Sequence, residues 1–295
     1  MRLVDPTVEL VTTSDPLIKI EEIGRVCYKS QSDYTRETAV KFIKSLISSG
    51  HLSVLEHATF VFEVVDVIHF ERPFVNTSVV HWGDRYRTLA STNLRAIIEG
   101  NYDDYMSALV KEIPEFNEIF GLTEDVSGDT KLVDLFDVEN LTLAEFSKHC
   151  YTTFRFRTDR GVTHEMVRHR IASYTQESTR YCNYSKDKFG SEITCIRPAN
   201  FEDWSMGEQV TYEQALEYAE MTYMRMLKLG ATAQQARGVL PTDLATTIVM
   251  TANDEEWEHF FDLRSRGKTG APHPNMRKVA KMAEDLYCEK YYTRK

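Results

Sequence analysis

Residues 168–181 read RHRIASYTQESTRY. Arg168, His169, Arg170 and Arg180 crowd around Ser173 and Ser178 in a chain whose formal net charge is −10. Cations at the C-terminal end of a helix complement its dipole, which accounts for Arg168 and Arg170. It does not account for Ser173, Ser178 and Arg180 following at short spacing. Guanidinium groups fork onto phosphate or carboxylate oxygens, and hydroxyls add short-range donors. Two readings therefore stand on spacing alone: a solvated basic surface, or a site built to hold an anion.

Working outward, the segment before this stretch reads as a short helix over 159–169. Asp159 is its N-cap, and Val162, Met166 and Val167 form its apolar stripe. The two histidines of HEMVRH (164–169) are five apart, about 140° around a helix at roughly 100° per residue, so they do not form the one-faced zincin pair. No metal site is expected. Downstream, residues 191–197 read as a strand and 207–229 as a long helix. Residues 231–250 read as helical around Pro241. Asn253 or Asp254 caps a further helix that carries Trp257, Phe260, Phe261 and Arg264 on one stripe, with Glu256 at the capping-box position. A guanidinium on that stripe needs a partner, either a carboxylate or a polar ligand. Arg237, in QQARGVLP, poses the same alternative. The last helix spans about 274–291.

Upstream, 7–12 reads as a strand, 16–28 and 36–49 as helices with Gly50 closing the second, and 57–69 as a strand. Residues 77–146, acid-rich from Glu99 to Glu145 and with a turn-like VSGDTK at 126–131, read as a solvated surface insertion.

The 295 residues, 42% hydrophobic and 27% charged, suit one globular domain. The acidic balance disfavours wholesale nucleic-acid binding. No apolar run approaches membrane-spanning length, and the N-terminus has no signal-like apolar region. Five cysteines without metal-like spacing fit a reducing compartment, so a cytoplasmic location is expected, or host cytoplasm for a viral source. GxSxG, GxGxxG and Walker A loops are all missing from the sequence.

RHRIASYTQESTRY resembles the RHRxxSxxxxSxR signature of the flavin-dependent thymidylate synthases at every defined position. GHLSVLEH (50–57), ARGVLP (236–241) and TAND…FFDLR (251–264) resemble further segments of that family, in the same order. The resemblance covers 20–75 and 150–290. It implies a single α/β (α+β) domain over 1–295: a central twisted, mostly antiparallel sheet flanked by helices, with the 77–146 insertion as an inserted lobe. It also implies methylation of dUMP to dTMP. Methylenetetrahydrofolate gives the carbon, FAD reduced by NADPH gives the hydride, and active sites are shared within a homotetramer. By resemblance, dUMP contacts fall on Glu165, Met166, Val167, Arg168, Gln176, Glu177, Ser178, Thr179, Arg180, Arg237 and Arg264. FAD contacts fall on Ser53, Arg168, His169, Arg170, Gln176, Asn253, Asp254, Glu255 and His259. His51 and His273 lie near the flavin, His273 through a loose alignment across SRGKTGAPHPNM with Lys268 as an alternative basic contact. Thr175 stands where the family often has Asn. Arg264 is the expected catalytic group. A protein that keeps the pocket without turnover is the alternative.

Overall fold

The computed structural model describes residues 1–64, 76–82, 85–122, 130–186 and 190–292. In chain order the elements are β1 (Arg2–Val4), β2 (Thr7–Leu10), α1 (Pro16–Val26), α2 (Arg36–Ser48), a 3-10 segment (Leu52–His57) and β3 (Thr59–Val64). There follow β4 (Asn76–Trp82), β5 (Arg85–Asn93), α3 (Leu94–Gly100), α4 (Asp103–Glu112), α5 (Phe116–Phe120), β6 (Lys131–Leu132) and α6 (Leu143–His149). The C-terminal half holds β7 (Tyr151–Asp159), α7 (Arg160–Met166), β8 (Ser173–Gln176), β9 (Thr194–Ile196), α8 (Met206–Lys228), α9 (Ala233–Ala236), β10 (Ala245–Asn253), α10 (Asp254–Arg264) and α11 (Pro274–Tyr292).

Local chemistry sets the helix ends. Asp15 accepts from the N–H groups of Leu17 and Ile18 and starts α1, with Pro16 in the first turn. Thr35 caps α2, and Ser205 with Glu208 forms a capping box on α8. Gly50, at φ +71°, supplies the left-handed residue just past α2. Asp159 accepts from Val162 N–H at 2.7 Å, as expected. Val162 and Met166 are buried, but Val167 is 46% exposed and leaves the expected stripe. The helix ends at Met166, so Val167 sits in the turn that swings the chain toward β8.

The α/β class holds, but its strands divide into two four-stranded antiparallel sheets, ordered β2-β7-β10-β8 and β4-β5-β3-β6, plus a parallel β1-β9 pair. The helix expected over 231–250 is corrected. Only Ala233–Ala236 is α-helical, a 3-10 turn follows, and 245–253 is the strand β10. Pro241 separates the two, and ATTIVMTAN is rich in β-branched residues. β10 pairs with β7 on one edge and β8 on the other, and nearly all of it is buried. A strand covered on both faces loses the polar alternation that would have announced it.

One face of that sheet packs Phe154, Phe156, Ile248 and Met250 against Trp257, Phe260 and Phe261 of α10 and Val279 and Ala283 of α11. A second core joins Leu17, Ile20 and Ile43 to Leu94, Ile97, Leu109 and Phe116. The 77–146 segment is thus more than a solvated appendage: α3, α4 and α5 bury side chains in the core that α1 and α2 share. The strand expected over 57–69 is seen at 59–64, and 65–69 lie outside the described residues, as do 126–129 of VSGDTK.

Candidate active site

RHRIASYTQESTRY is drawn across two cavities. After α7 the chain turns and enters the central sheet as β8, where Gln176 faces Ile248 and Ser173 faces Thr251. Past the strand, Glu177 N–H bonds to the Thr247 carbonyl and Ser178 N–H to that of Cys27 at the end of α1. The first cavity, about 380 Å³, opens between α1, the 3-10 segment and this loop. His51, Ser53, Gln176, Glu177, Ser178, Thr179, Arg180 and Arg237 all line it, so eight expected residues from three separate stretches of the chain converge here, with Tyr28 and Arg160 among the neighbours that sequence did not single out.

A histidine that sequence reasoning left unassigned holds the 3-10 segment in place. His57 is fully buried. Its Nδ1 lies 2.7 Å from Thr251 Oγ1 and its Nε2 3.0 Å from Thr175 Oγ1. Burial first, and then the Lys19 ammonium, push it down to about 3, so it is a neutral bridge between the sheet and the segment carrying His51 and Ser53. Thr175, where the family often has Asn, is the other end of that bridge.

Within the first cavity the carboxylate of Glu177 is already committed. Tyr184 Oη donates to it at 2.9 Å and the Lys29 ammonium lies 3.1 Å away. Gln176 Nε2 donates to Thr163 Oγ1 at 3.0 Å, which orients its amide. Arg160 donates to the Glu177 carbonyl at 3.0 Å, while its buried Nε has no hydrogen-bond partner among the described residues. Its signal in sequence is only an arginine beside the Asp159 cap. Ser178 Oγ accepts from Arg180 N–H at 3.4 Å.

The second cavity, about 440 Å³, is lined by Arg168, His169, Arg170, Ile171, Glu256, His259, Leu263 and Arg264. Arg264 closes the apolar stripe of α10 and is held there: Nη1 donates to Glu165 Oε2 at 2.7 Å and Nε to His169 Nε2 at 3.0 Å. His169 must therefore present a bare Nε2. Burial, reinforced by the neighbouring Arg264 and His259, lowers it to about 4. Arg170 and Ile171 also wall a third cavity of about 270 Å³ with Asn253.

Other expected residues fall outside these walls. Met166 is buried in the core and presents only backbone. Tyr174 Oη lies 2.8 Å from the carbonyl oxygens of both Met166 and His169, which pins the turn between α7 and β8. Asp254 is turned inward and accepts from Thr152 Oγ1 at 3.1 Å; Glu255 and His273 are exposed. Arg264 and the Ser178–Arg180 loop line different cavities of the one chain. Among the described residues there is no cluster of three metal-ligating groups, and the five cysteines are free. No helix among them is long and apolar enough to cross a membrane.

Arg160, Arg168, Arg170, Arg180 and Arg237 have no carboxylate within 4 Å among the described residues, whereas Arg25, Arg36, Arg95, Arg155, Arg197 and Arg266 do. Unneutralised guanidiniums gathered at cavity walls are the arrangement that anionic groups require. Fold and site define an α/β protein with two arginine-walled cavities. The chain belongs to the family described as thymidylate synthase complementing protein, Thy1, whose pattern matches residues 9–72 and 140–290. Residues 73–139 lie outside that match.

Among similar proteins, a flavin-dependent thymidylate synthase of Geobacter sulfurreducens is 33% identical over 144 residues, covering 48% of this chain and 60% of its own. One from Pyrococcus abyssi is 36% identical over 118 residues, 39% of this chain and 47% of its own. The chain spans about half the length of the curated relatives it matches. A UMP/dUMP methylase structure from Streptomyces cacaoi aligns over 98% of this chain and 93% of its own, at 16% identity and a TM-score of 0.44. That is too loose a likeness to carry a ligand across.

Proposed function

We propose that the chain methylates dUMP to dTMP, with methylenetetrahydrofolate as carbon donor and FAD reduced by NADPH as hydride source. The observation that carries this reading is the set of carboxylate-free arginines on the walls of two cavities, where Arg160, Arg180 and Arg237 line one and Arg168 and Arg170 the other.

The deoxynucleotide phosphate belongs with Ser178, Arg180 and Arg237, where two guanidiniums, a hydroxyl and the backbone of the loop converge. Arg160 holds the loop through the Glu177 carbonyl. FAD fits the second and third cavities by donor chemistry: Arg168 and Arg170 suit a pyrophosphate, and Asn253 and His259 add polar contacts. When bound, the flavin supplies the hydride that turns the transferred one-carbon unit into a methyl group. Ser53 and His51 face the nucleotide cavity, on its folate or flavin side.

Uracil C5 is a weak nucleophile. A guanidinium on the N3/O4 edge stabilises negative charge there and raises electron density at C5. Arg264 has that role. Its Glu165 partner must yield to the uracil edge or be displaced by it, since a carboxylate at 2.7 Å neutralises the same charge. Ser178 orients the phosphate rather than attacking, because no basic side chain among the described residues hydrogen-bonds its Oγ. One nucleotide cannot meet Arg264 and Ser178 in separate cavities of one chain. Active sites shared within a homotetramer reconcile the two, with Arg264 of one chain serving the loop of another. The reaction needs no metal and no nucleic acid, and a cytoplasmic location suits its small-molecule substrates.

The test is thymidylate formation by purified protein from dUMP, methylenetetrahydrofolate and NADPH, with flavin absorbance read on the same sample. Yellow protein without thymidylate refutes the catalytic reading in favour of a silent flavin or nucleotide binder. Colourless protein without turnover refutes both.

A further inference from the structure

The two four-stranded sheets are built alike. In one, β7 lies between β2 and β10, with β8 beyond β10; in the other, β3 lies between β6 and β5, with β4 beyond β5. The pairing register matches too. Thr59, the first residue of β3, faces Asn93, the last of β5; Tyr151, the first of β7, faces Asn253, the last of β10. Each asparagine then caps a helix: Asn93 Oδ1 accepts from Ala96 N–H and Asn253 Oδ1 from Glu256 N–H, both at 2.9 Å. The next N–H along, of Leu94 or of Asp254, donates to the carbonyl just before the opening strand, Ala58 or Cys150, again at 2.9 Å in both.

A buried histidine stands two residues before each opening strand and reaches into the other sheet. His57 bridges Thr251 and Thr175, while His149 bridges Ser91 and Ser78. Thr251 and Ser91 both lie two residues before the capping asparagine. Thr175 and Ser78 both pair with the residue four before it, Val249 or Leu89. The contact is reciprocal, each half holding the other through the same positions, which is the relation a twofold axis imposes. Only the histidine and the asparagine are the same residue at these positions, so the repeat leaves almost no trace in sequence.

The third cavity lies across that axis. Its wall takes Thr59, Thr92 and Asn93 from the first half and their counterparts Tyr151, Ala252 and Asn253 from the second. Thr92 and Asn93 fall within 73–139, outside the family match. The two carboxamides differ in one respect. Asn253 Nδ2 donates to the Lys148 carbonyl at 3.1 Å, which Asn76 Nδ2 also reaches at 3.0 Å. The counterpart of that carbonyl belongs to Glu56, and Ser173, the counterpart of Asn76, faces it through Oγ at 3.5 Å. Asn93 breaks the symmetry. The Ala96 N–H fixes which end of its amide is oxygen, and its Nδ2 has no hydrogen-bond partner among the described residues. A carboxamide donor at a cavity wall, with no protein acceptor, is suited to an acceptor on a ligand.

We propose that β3, β4, β5 and α3 form one half of an internal pseudo-dimer with β7, β8, β10 and α10, and that the first half completes the third cavity by donating from Asn93 Nδ2 to an acceptor atom of the dinucleotide bound there. The ligand's identity rests on the proposed place of FAD in that cavity. The segment outside the family match is then a partner half that shapes the cofactor site.

The experiment measures FAD binding to the full chain by flavin fluorescence, without substrates, in wild type, N93S and N93D, with a thermal melt of each apo-protein. Serine and aspartate both keep the capping acceptor, so the start of α3 survives and the amide donor alone is lost. N93D serves if N93S does not fold. Loss of one hydrogen bond of this kind weakens FAD by about three- to tenfold. That loss, with an unchanged apo melting temperature, is the expected result. Variants that bind FAD as tightly as the wild type, or that lose it only in step with a lowered melting temperature, overturn the proposal alone. Wild-type protein that binds no FAD overturns the flavin reading and this inference together. Binding is read without turnover, so a failure of the methylation assay is a separate result.

Discussion

Arg264→Ala tests the mechanism where structure and chemistry pull in opposite directions. In the free protein Arg264 looks structural: it donates to Glu165 at 2.7 Å and to His169 at 3.0 Å, with 19% of its side chain exposed. Truncation removes one charge-assisted contact and leaves Glu165, 29% exposed, free to rehydrate. For a partly exposed pair that costs about 1 kcal/mol once solvent screening is allowed for. In a chain of this size the melting temperature falls by about 2–4 °C. The effect on turnover is larger if the guanidinium stabilises charge on the uracil ring, because removing one such donor costs roughly 10²–10³ in kcat, about 2.7–4 kcal/mol. The assay pairs a thermal melt with kcat and KM for dUMP, and with flavin absorbance to confirm that FAD is retained. The expected result is a small thermal shift, retained flavin and a loss of at least a hundredfold in kcat. A variant that melts several degrees lower yet turns over within twofold of wild type shows that Arg264 is only the structural partner of Glu165.

Ser178→Ala is expected to raise KM for dUMP by about tenfold, the loss of one hydrogen bond to a charged group, while turnover at saturation persists; abolished turnover with unchanged nucleotide affinity makes Ser178 a nucleophile instead. Trp257→Ala removes a fully buried ring that packs on Phe154, Phe156, Phe260 and Phe261 and donates to the Thr152 carbonyl at 3.0 Å. A loss of about 3–5 kcal/mol is expected by urea titration, and a loss below about 1 kcal/mol contradicts the packing. Acid stability follows from histidines held neutral. His57 is lowered to about 3 and His149 to about 4, each by burial first, so the unfolded chain binds protons that the folded one does not. Stability conferred above the ordinary histidine value near pH 6.5 is therefore lost as pH falls toward 4, by up to about 1.4 kcal/mol per pH unit for each residue. His149→Gln, which can still reach Ser91 or Ser78, removes one such contribution; an unchanged slope between pH 6 and 4.5 counts against it.

Much of this protein was legible in its sequence where the determinant is local. Asp159 and Asn253 announce their helices because a capping side chain bonds to backbone only three residues away, and Pro16 and Gly50 mark the start and end of the first two helices in the same local way. The family was legible for a related reason: Arg168, Ser173, Ser178 and Arg180 keep a fixed spacing, and Gly50–His57, Arg237 and Arg264 follow in order. What sequence alone did not decide depends on partners far along the chain. β10 read as helix because both of its faces are covered, by α10 and α11 on one side and by the His57 bridge on the other, and such a strand carries no alternation. The 77–146 segment read as surface because its acids are visible in sequence, while the burial of Leu94, Ile97 and Phe116 depends on α1 and α2. Sequence placed Arg264 and Ser178 in one site. The tertiary structure sets them in separate cavities of a single chain, with Arg264 held by Glu165, because a short helix and one turn after Met166 send the two halves of RHRIASYTQESTRY to different walls.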